Sequence, residues 1–337
     1  KDNGKAKITL QESRKNKFKI NWKKSSILKP DSLDIKIFNK ISINEVIPYI
    51  DWKPFFESWE LYGKFPEILN DKVVGKTARE LWNDAKDMLK RIERDNLTKL
   101  QAVIGFWPAN ASQDDVEIYE DERRVKIKKK LFFLRQQVKR HSNGRANFCL
   151  SDFIAPKELR IKDYIGGFAV TAGKGIDINA KHFEAKKDDY NSILIKSLGD
   201  RLAEGLAEKL HQDVRKKYWG YSKKEKLSND QLINEEYQGI RPAPGYPACP
   251  DHSEKETLFD LLEIGKNLKI SLTESYAMSP MSSVSGFYFA NPNANYFGLG
   301  KINEDQAKDY AERKNKELGY IEKWLGPNLS YSPKKNI

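Results

Sequence analysis

The sequence is poor in the residues that build covalent or metal frameworks. Its two cysteines, Cys149 and Cys249, lie far apart and form no CxxC pair. Neither a disulfide framework nor a zinc knuckle is expected, and small buried thiols are the simplest reading. The four histidines, His141, His182, His211 and His252, show no HxH or HExxH spacing, so no metal centre is expected in this chain. No apolar run approaches the roughly 18 residues of a membrane span, and nothing resembles a signal peptide, so a cytoplasmic protein is expected. The chain also lacks a GxGxxG after a strand, a P-loop, a GxSxG and a nucleophile paired with a base. Covalent catalysis by its own side chains is therefore not expected, no catalytic residue is named, and the candidate site residues are binding groups.

What is present supports a folded domain. At 337 residues and 39% hydrophobic content the chain can bury a substantial core. It begins at Lys1 with the polar, basic stretch "KDNGKAKITLQESRKNKFKINW", which reads as a cut within a longer protein. Residues 1–19 are expected to be a linking lead segment and residues 20–337 one domain. Sixty Lys and Arg against 48 Asp and Glu give a net charge of +12, part of it in "RRVKIKKK" at 123–130. Such a surface suits nucleic acid, an acidic membrane or an acidic protein, and is also what a merely solvated lysine-rich surface looks like.

Periodicity places the elements. "SINEVIPYIDWKPFFESWELYGKFPEIL" spaces its aromatics by three or four, as one helix face would, although Pro48 interrupts it. "KTARELWNDAKDMLKRIERDN" is a cleaner amphipathic helix. "LQAVIGFWPAN" and "DDVEIYEDERR" read as strands, with Pro108 and Asn110 as turn material. "FCLSDFIAP" and "YIGGFAVTAG" read as short strand-like runs. The longest helix is expected over 188–221, where Leu194, Leu198, Leu202, Leu206, Leu210 and Val214 keep a spacing of four. Asp200, Glu204 and Glu208 share another side of it, while Gly199 and Gly205 inside so strong a pattern suggest close packing. A weaker helix with Ser228 as its cap, a helix over "ETLFDLLEIGKNL", a hairpin-like pair around "NPNAN" and two terminal helices complete the chain. One α+β domain is the economical reading.

The segment "GIRPAPGYPACPDHSEK", Gly239 to Lys255, holds four prolines. Proline fixes its own φ and biases its predecessor to extended structure, so Arg241 to Pro247 is a nearly preformed loop that can present backbone groups to a ligand at low ordering cost. Arg241 offers a fork suited to a carboxylate, and Gly245 permits close approach; a structural crossover loop would look the same. Tyr288, Tyr296 and Phe297 could stack on a base or face a cation, or could simply be packed strand aromatics. Asp51 is the acid of an aromatic stretch, and a partly buried carboxylate there calls for a positively charged partner.

Taken in order, "YIDWKPFFESWELYGKFP", "DDVEIYEDERR", "CLSDFIAP", "DYIGGFAVT", "KSLGDRLAEGLAEKLH", "QGIRPAPGYPACPDH" and "LTESYAMSPMSSVSGFYF" resemble the C-terminal activation domain of cobalamin-dependent methionine synthase. The resemblance runs from about Ile20 to about Tyr331, and the proline loop is its most specific part. It implies a single C-shaped α+β domain with a central twisted antiparallel sheet flanked by helices. It implies a fragment of a methyltransferase of methionine biosynthesis that moves a methyl group from methyltetrahydrofolate through cobalamin to homocysteine. In that family the activation domain binds S-adenosylmethionine, and an electron from flavodoxin or an equivalent reductase lets inactive cob(II)alamin be remethylated. Cobalamin and zinc belong to other parts of the whole enzyme, and the fragment alone is not expected to make methionine.

The resemblance places S-adenosylmethionine contacts on Asp51, on Arg241, Ala243, Gly245 and Tyr246 of the proline loop, and on Tyr296 with Phe297. Arg241 would pair with the ligand carboxylate, Asp51 would favour the cationic end, the backbone at Ala243 would hold the adenine, and Tyr296 would close the pocket. The family has a second tyrosine where this chain has Phe297, which puts any role of that hydroxyl in doubt. Asp200, Glu204 and Glu235 match acidic positions near the pocket or the cobalamin contact. The implied partners are the cobalamin-binding module of the same polypeptide and an acidic flavodoxin, with neither nucleic acid nor membrane. A self-contained methyltransferase, argued against by the missing glycine-rich loop, and a basic nucleic-acid-binding module centred on "RRVKIKKKLFFLRQQVKR" are the competing readings.

Overall fold

The structure is a computed structural model and describes residues 8–139 and 145–333. His141 and the last residue of the basic 125–140 run lie outside the described residues. The helices, in chain order, are α1 (Leu10–Lys15), α2 (Ile43–Val46), α3 (Lys53–Ser58), α4 (Gly75–Arg94), α5 (Gly175–Ala185) and α6 (Asp189–Asp213). They continue with α7 (Asn229–Ile233), α8 (Glu254–Leu262), α9 (Ile264–Leu268), α10 (Glu304–Lys314) and α11 (Leu318–Leu325). The strands are β1 (Lys36–Ile41), β2 (Leu100–Ser112), β3 (Asp115–Tyr119), β4 (Ile127–Phe132), β5 (Asp163–Thr171), β6 (Ser271–Leu272), β7 (Met278–Ser279) and β8 (Ser283–Tyr288).

The strands other than β6 and β7 form one antiparallel sheet in the order β4-β3-β2-β5-β8. Both β1 and β3 pair with the edge of β2 opposite β5, β1 along Leu100–Ile104 and β3 along Ala109–Ser112. Pro108 sits at that changeover. The sequence reads it as a turn, but the strand runs through it, because a residue without an N–H is tolerated where one strand partner hands over to the next.

The continuous apolar run of β2 is explained by burial on both faces. Leu100, Ala102, Ile104 and Phe106 join the core under α4 and α6, whereas Val103, Trp107 and Ala109 join a second core with Leu258, Leu261 and Leu262 of α8. The paired glycines Gly105 and Gly167 let α8 approach: a Cβ on Gly167 would stand 2.7 Å from Leu258 Cδ1. The leucine stripe of α6 is buried along its length, so truncating Leu198, wholly inaccessible, would cost about 2–5 kcal/mol. Gly205 lets the chain after α2 press onto α6, since a Cβ there would lie 2.9 Å from Ile50 Cγ1. The helix ends in a wider π turn over Val214–Tyr218.

Three other expectations change. The aromatic stretch after Ser42 is two short helices with a 3-10 turn between them, since Pro48 and Pro54 each restart the chain. "FCLSDFIAP" is not a strand but a 3-10 turn at Leu150–Phe153, stabilised by Asp152 accepting from the Cys149 N–H. Among the described residues no strand follows "NPNAN"; β8 pairs with β5, and the residues after Asn291 return irregularly toward the proline loop. The lead segment, which has no apolar run, still forms α1 through a Thr9–Glu12 capping box. It is fastened to the body: Arg14 pairs with Asp114 at 2.7 Å and Asp309 at 2.9 Å, and Leu10 donates to Asp305.

Candidate functional site

The proline loop lies along β8 as an irregular extension of the sheet. Ile240 and Phe289 exchange backbone hydrogen bonds, and Phe287 donates to the Pro242 carbonyl at 2.9 Å. The loop then closes on itself: Gly245 donates to Cys249 O at 2.7 Å, Cys249 to Tyr246 O at 2.9 Å, and Tyr246 to Ala243 O at 3.1 Å. Gly245 has φ +96°, a conformation glycine adopts without the Cβ penalty. Leu299 donates to Pro247 O at 2.8 Å, which brings the 290–300 segment onto the same loop.

These elements enclose a cavity of about 510 Å³. Arg241, Ala243, Tyr246, Tyr296 and Phe297 line it together with Glu204 and Glu235. Seven of the expected residues thus converge from α6, the turn after α7, the proline loop and the 290–300 segment. Phe168, Pro242, Pro247 and Val284 supply apolar wall. Three expected residues do not line it. Gly245 shapes the loop, with a His252 carbon 2.3 Å from where its Cβ would stand. Asp200 accepts from Ser282 Oγ at 2.8 Å. Asp51 lines a separate hollow of about 880 Å³ with Trp52, Lys64 and Asn229. There it accepts from the Lys53 N–H at 3.0 Å, starting α3, and among the described residues no cation pairs with it. At the end of α7, Asn234 lines one hollow and its neighbour Glu235 the other.

Arg241 is the electrostatic centre. Its Nη2 stands 2.6 Å from Glu208 Oε2, and its Nη1 donates to Tyr237 OH at 2.9 Å and to His211 Nδ1 at 3.2 Å. Burial opposes the guanidinium charge, but the Glu208 carboxylate holds its pKa above the ordinary value. A guanidinium only donates, so His211 Nδ1 accepts and the ring proton sits on Nε2, facing Tyr221 OH at 3.4 Å. Burial, then Arg215 and Arg241, push His211 well below the usual histidine range, so it is neutral. Tyr288 stacks on its other side with ring centres 5.1 Å apart. Tyr296 OH accepts from the Arg241 backbone N–H at 2.9 Å and meets Tyr237 OH at 3.4 Å. Phe297 packs on Phe148, centroids 5.7 Å apart.

The sequence alone does not mark Glu208, His211 and Tyr237 as site residues. A leucine-spaced helix carrying Glu204, Glu208 and His211 near one face gave a partial signal, but their convergence on Arg241 depends on how the loop crosses α6. Among the described residues no group of His, Cys, Asp and Glu could hold a metal ion, and no helix is long and apolar enough to cross a membrane.

A family profile described as the activation domain of vitamin B12 dependent methionine synthase matches residues 42–315. The chain belongs to that family. The activation domain is also similar to a solved structure described as the crystal structure of the MetH reactivation domain bound to AdoHcy, at 48% identity and a TM-score of 0.94. That similarity covers 96% of this chain and 99% of the other. The mixed fold, with a central antiparallel sheet flanked by helices, is the fold of that reactivation domain.

Proposed function

We propose that the 510 Å³ cavity binds S-adenosylmethionine and presents its methyl group to cobalamin carried by another module of the same polypeptide. The carrying observation is the convergence of one arginine, surplus carboxylates and a rigid backbone loop on a single cavity. It suits a ligand that combines a carboxylate, an ammonium, a sulfonium and a flat base. Arg241 receives the ligand carboxylate on the part of its guanidinium left free by Glu208, Tyr237 and His211. The backbone at Ala243 and Gly245 holds the adenine without ordering cost, and Tyr246 and Tyr296 flank it. Glu204 and Glu235 face the cationic portion, and Asp51 attracts it from the neighbouring hollow. The similarity to a reactivation domain solved with AdoHcy supports this reading.

Cobalamin, once reduced by one electron, supplies the methyl-accepting cobalt; the electron donor is a flavodoxin or an equivalent reductase, drawn by the positive net charge. The chain's own part is proximity and orientation. Calorimetric titration with S-adenosylmethionine tests the reading: one-to-one binding that is lost in Arg241→Ala supports it, and unchanged affinity in that variant would overturn the assignment.

A further inference from the structure

The charge around the cavity is unbalanced. From α6 come Asp200, Arg201, Glu204, Glu208 and His211; Glu235 follows α7; the proline loop brings Arg241. His211 and, behind Gly245, His252 are kept neutral by burial, and burial likewise keeps the Tyr237, Tyr246 and Tyr296 hydroxyls protonated. Glu208 neutralises Arg241 across 2.6 Å. Glu204 and Glu235 both line the cavity. Arg201 and Arg241 favour the charged form of Glu204, and Arg241 that of Glu235. Among the described residues neither carboxylate forms an ion pair, and the four acids Asp200, Glu204, Glu208 and Glu235 outnumber the two arginines. Glu208 Oε1 is buried with no hydrogen-bond partner, an additional acceptor beside the same site.

We propose that Glu204 and Glu235 make this site select its ligand by charge, holding the sulfonium form and releasing the neutral thioether formed when the methyl group leaves. The proposal rests on the S-adenosylmethionine reading given above. In methyl transfer the S–CH₃ bond breaks, its electron pair stays on sulfur, and the methyl carbon bonds to the acceptor nucleophile. The ligand thereby goes from one net positive charge to none, and its attraction to the two carboxylates falls. At an effective dielectric of about 20, one charge near two carboxylates gives about tenfold or more in affinity. Turnover itself would then loosen the spent ligand.

The test is calorimetric titration of the full chain with S-adenosylmethionine, S-adenosylhomocysteine and sinefungin, whose ammonium replaces the sulfonium. Both cationic ligands are expected to bind about tenfold or more tightly than the thioether, and in Glu204→Gln/Glu235→Gln the ratio is expected to fall to about one. A second readout uses the wild-type chain alone: just above the ordinary glutamate range, where burial leaves the two carboxyls partly protonated, titrations in buffers of different ionisation enthalpy should show proton release with S-adenosylmethionine and none with S-adenosylhomocysteine. Equal affinity for the two by the wild-type chain, an unchanged ratio in the double variant, or equal proton release would each overturn charge selection while leaving the ligand site intact. Binding of neither ligand to the wild-type chain would overturn the site reading itself, and charge selection with it.

Discussion

A methyl group placed on Gly245 meets two obstacles. The residue sits at φ +96°, and its Cβ would stand 2.3 Å from His252 Cε1 and 2.6 Å from Nδ1. An alanine held at positive φ costs about 1–2 kcal/mol. Moving the imidazole away breaks its hydrogen bond with Lys255 Nζ, 2.8 Å long. A hydrogen bond to a charged group is worth about 1.5–3 kcal/mol. Gly245→Ala should therefore lose about 2.5–5 kcal/mol of stability, a large share of the 5–15 kcal/mol typical of a domain. Urea unfolding of the parent, Gly245→Ala, His252→Ala and the double variant separates the two terms. In the double variant the clash is gone and the strain remains, so it should be about 1.5–3 kcal/mol more stable than the sum of the single losses. Ligand affinity should fall in Gly245→Ala, because Ala243 and Tyr246 flank the strained residue. Additive single losses, or a Gly245→Ala change within about 0.5 kcal/mol, would refute the picture of a rigid loop braced on His252.

Other sites give separate outcomes. Arg241→Ala should weaken S-adenosylmethionine binding about 100-fold or more, with Arg241→Lys intermediate because it keeps the charge and loses the fork; calorimetry measures both. Arg135, whose side chain is 1% exposed, joins Asp114 and Asp152 at 2.7 Å each, so Arg135→Ala should cost about 3–5 kcal/mol by thermal unfolding. Burial raises the pKa of both Glu204 and Glu235 from 4.5, so they stay partly protonated above the usual glutamate range. Affinity for a cationic ligand should then rise with pH as they ionise, and a fall over the same range would contradict the assignment. Association with an acidic partner should weaken with added salt, and indifference to ionic strength would remove the electrostatic account of the basic surface.

The sequence by itself determined the elements whose signal is local. The four-residue leucine spacing of α6 and the amphipathic pattern of α4 carry their own period, and burial follows it, while the continuous apolar run of β2 suits a strand buried on both faces. The rigidity of Arg241 to Pro247 was equally legible, since proline restricts the chain whatever surrounds it. Tertiary structure decided what such local rules cannot express. Pro108 stays inside a strand because two partners change over beside it, and α1, whose capping box is local, is held against the body because Arg14 finds Asp114 and Asp309 from distant parts of the chain. Asp51 lies in a neighbouring hollow because the short helices around Pro48 and Pro54 turn it to α7. Glu208 and His211 look like ordinary α6 positions, and become the partners of Arg241 only because the proline loop runs along β8 and across that helix. Long-range ion pairs depend on where two segments meet, and no single segment holds that information.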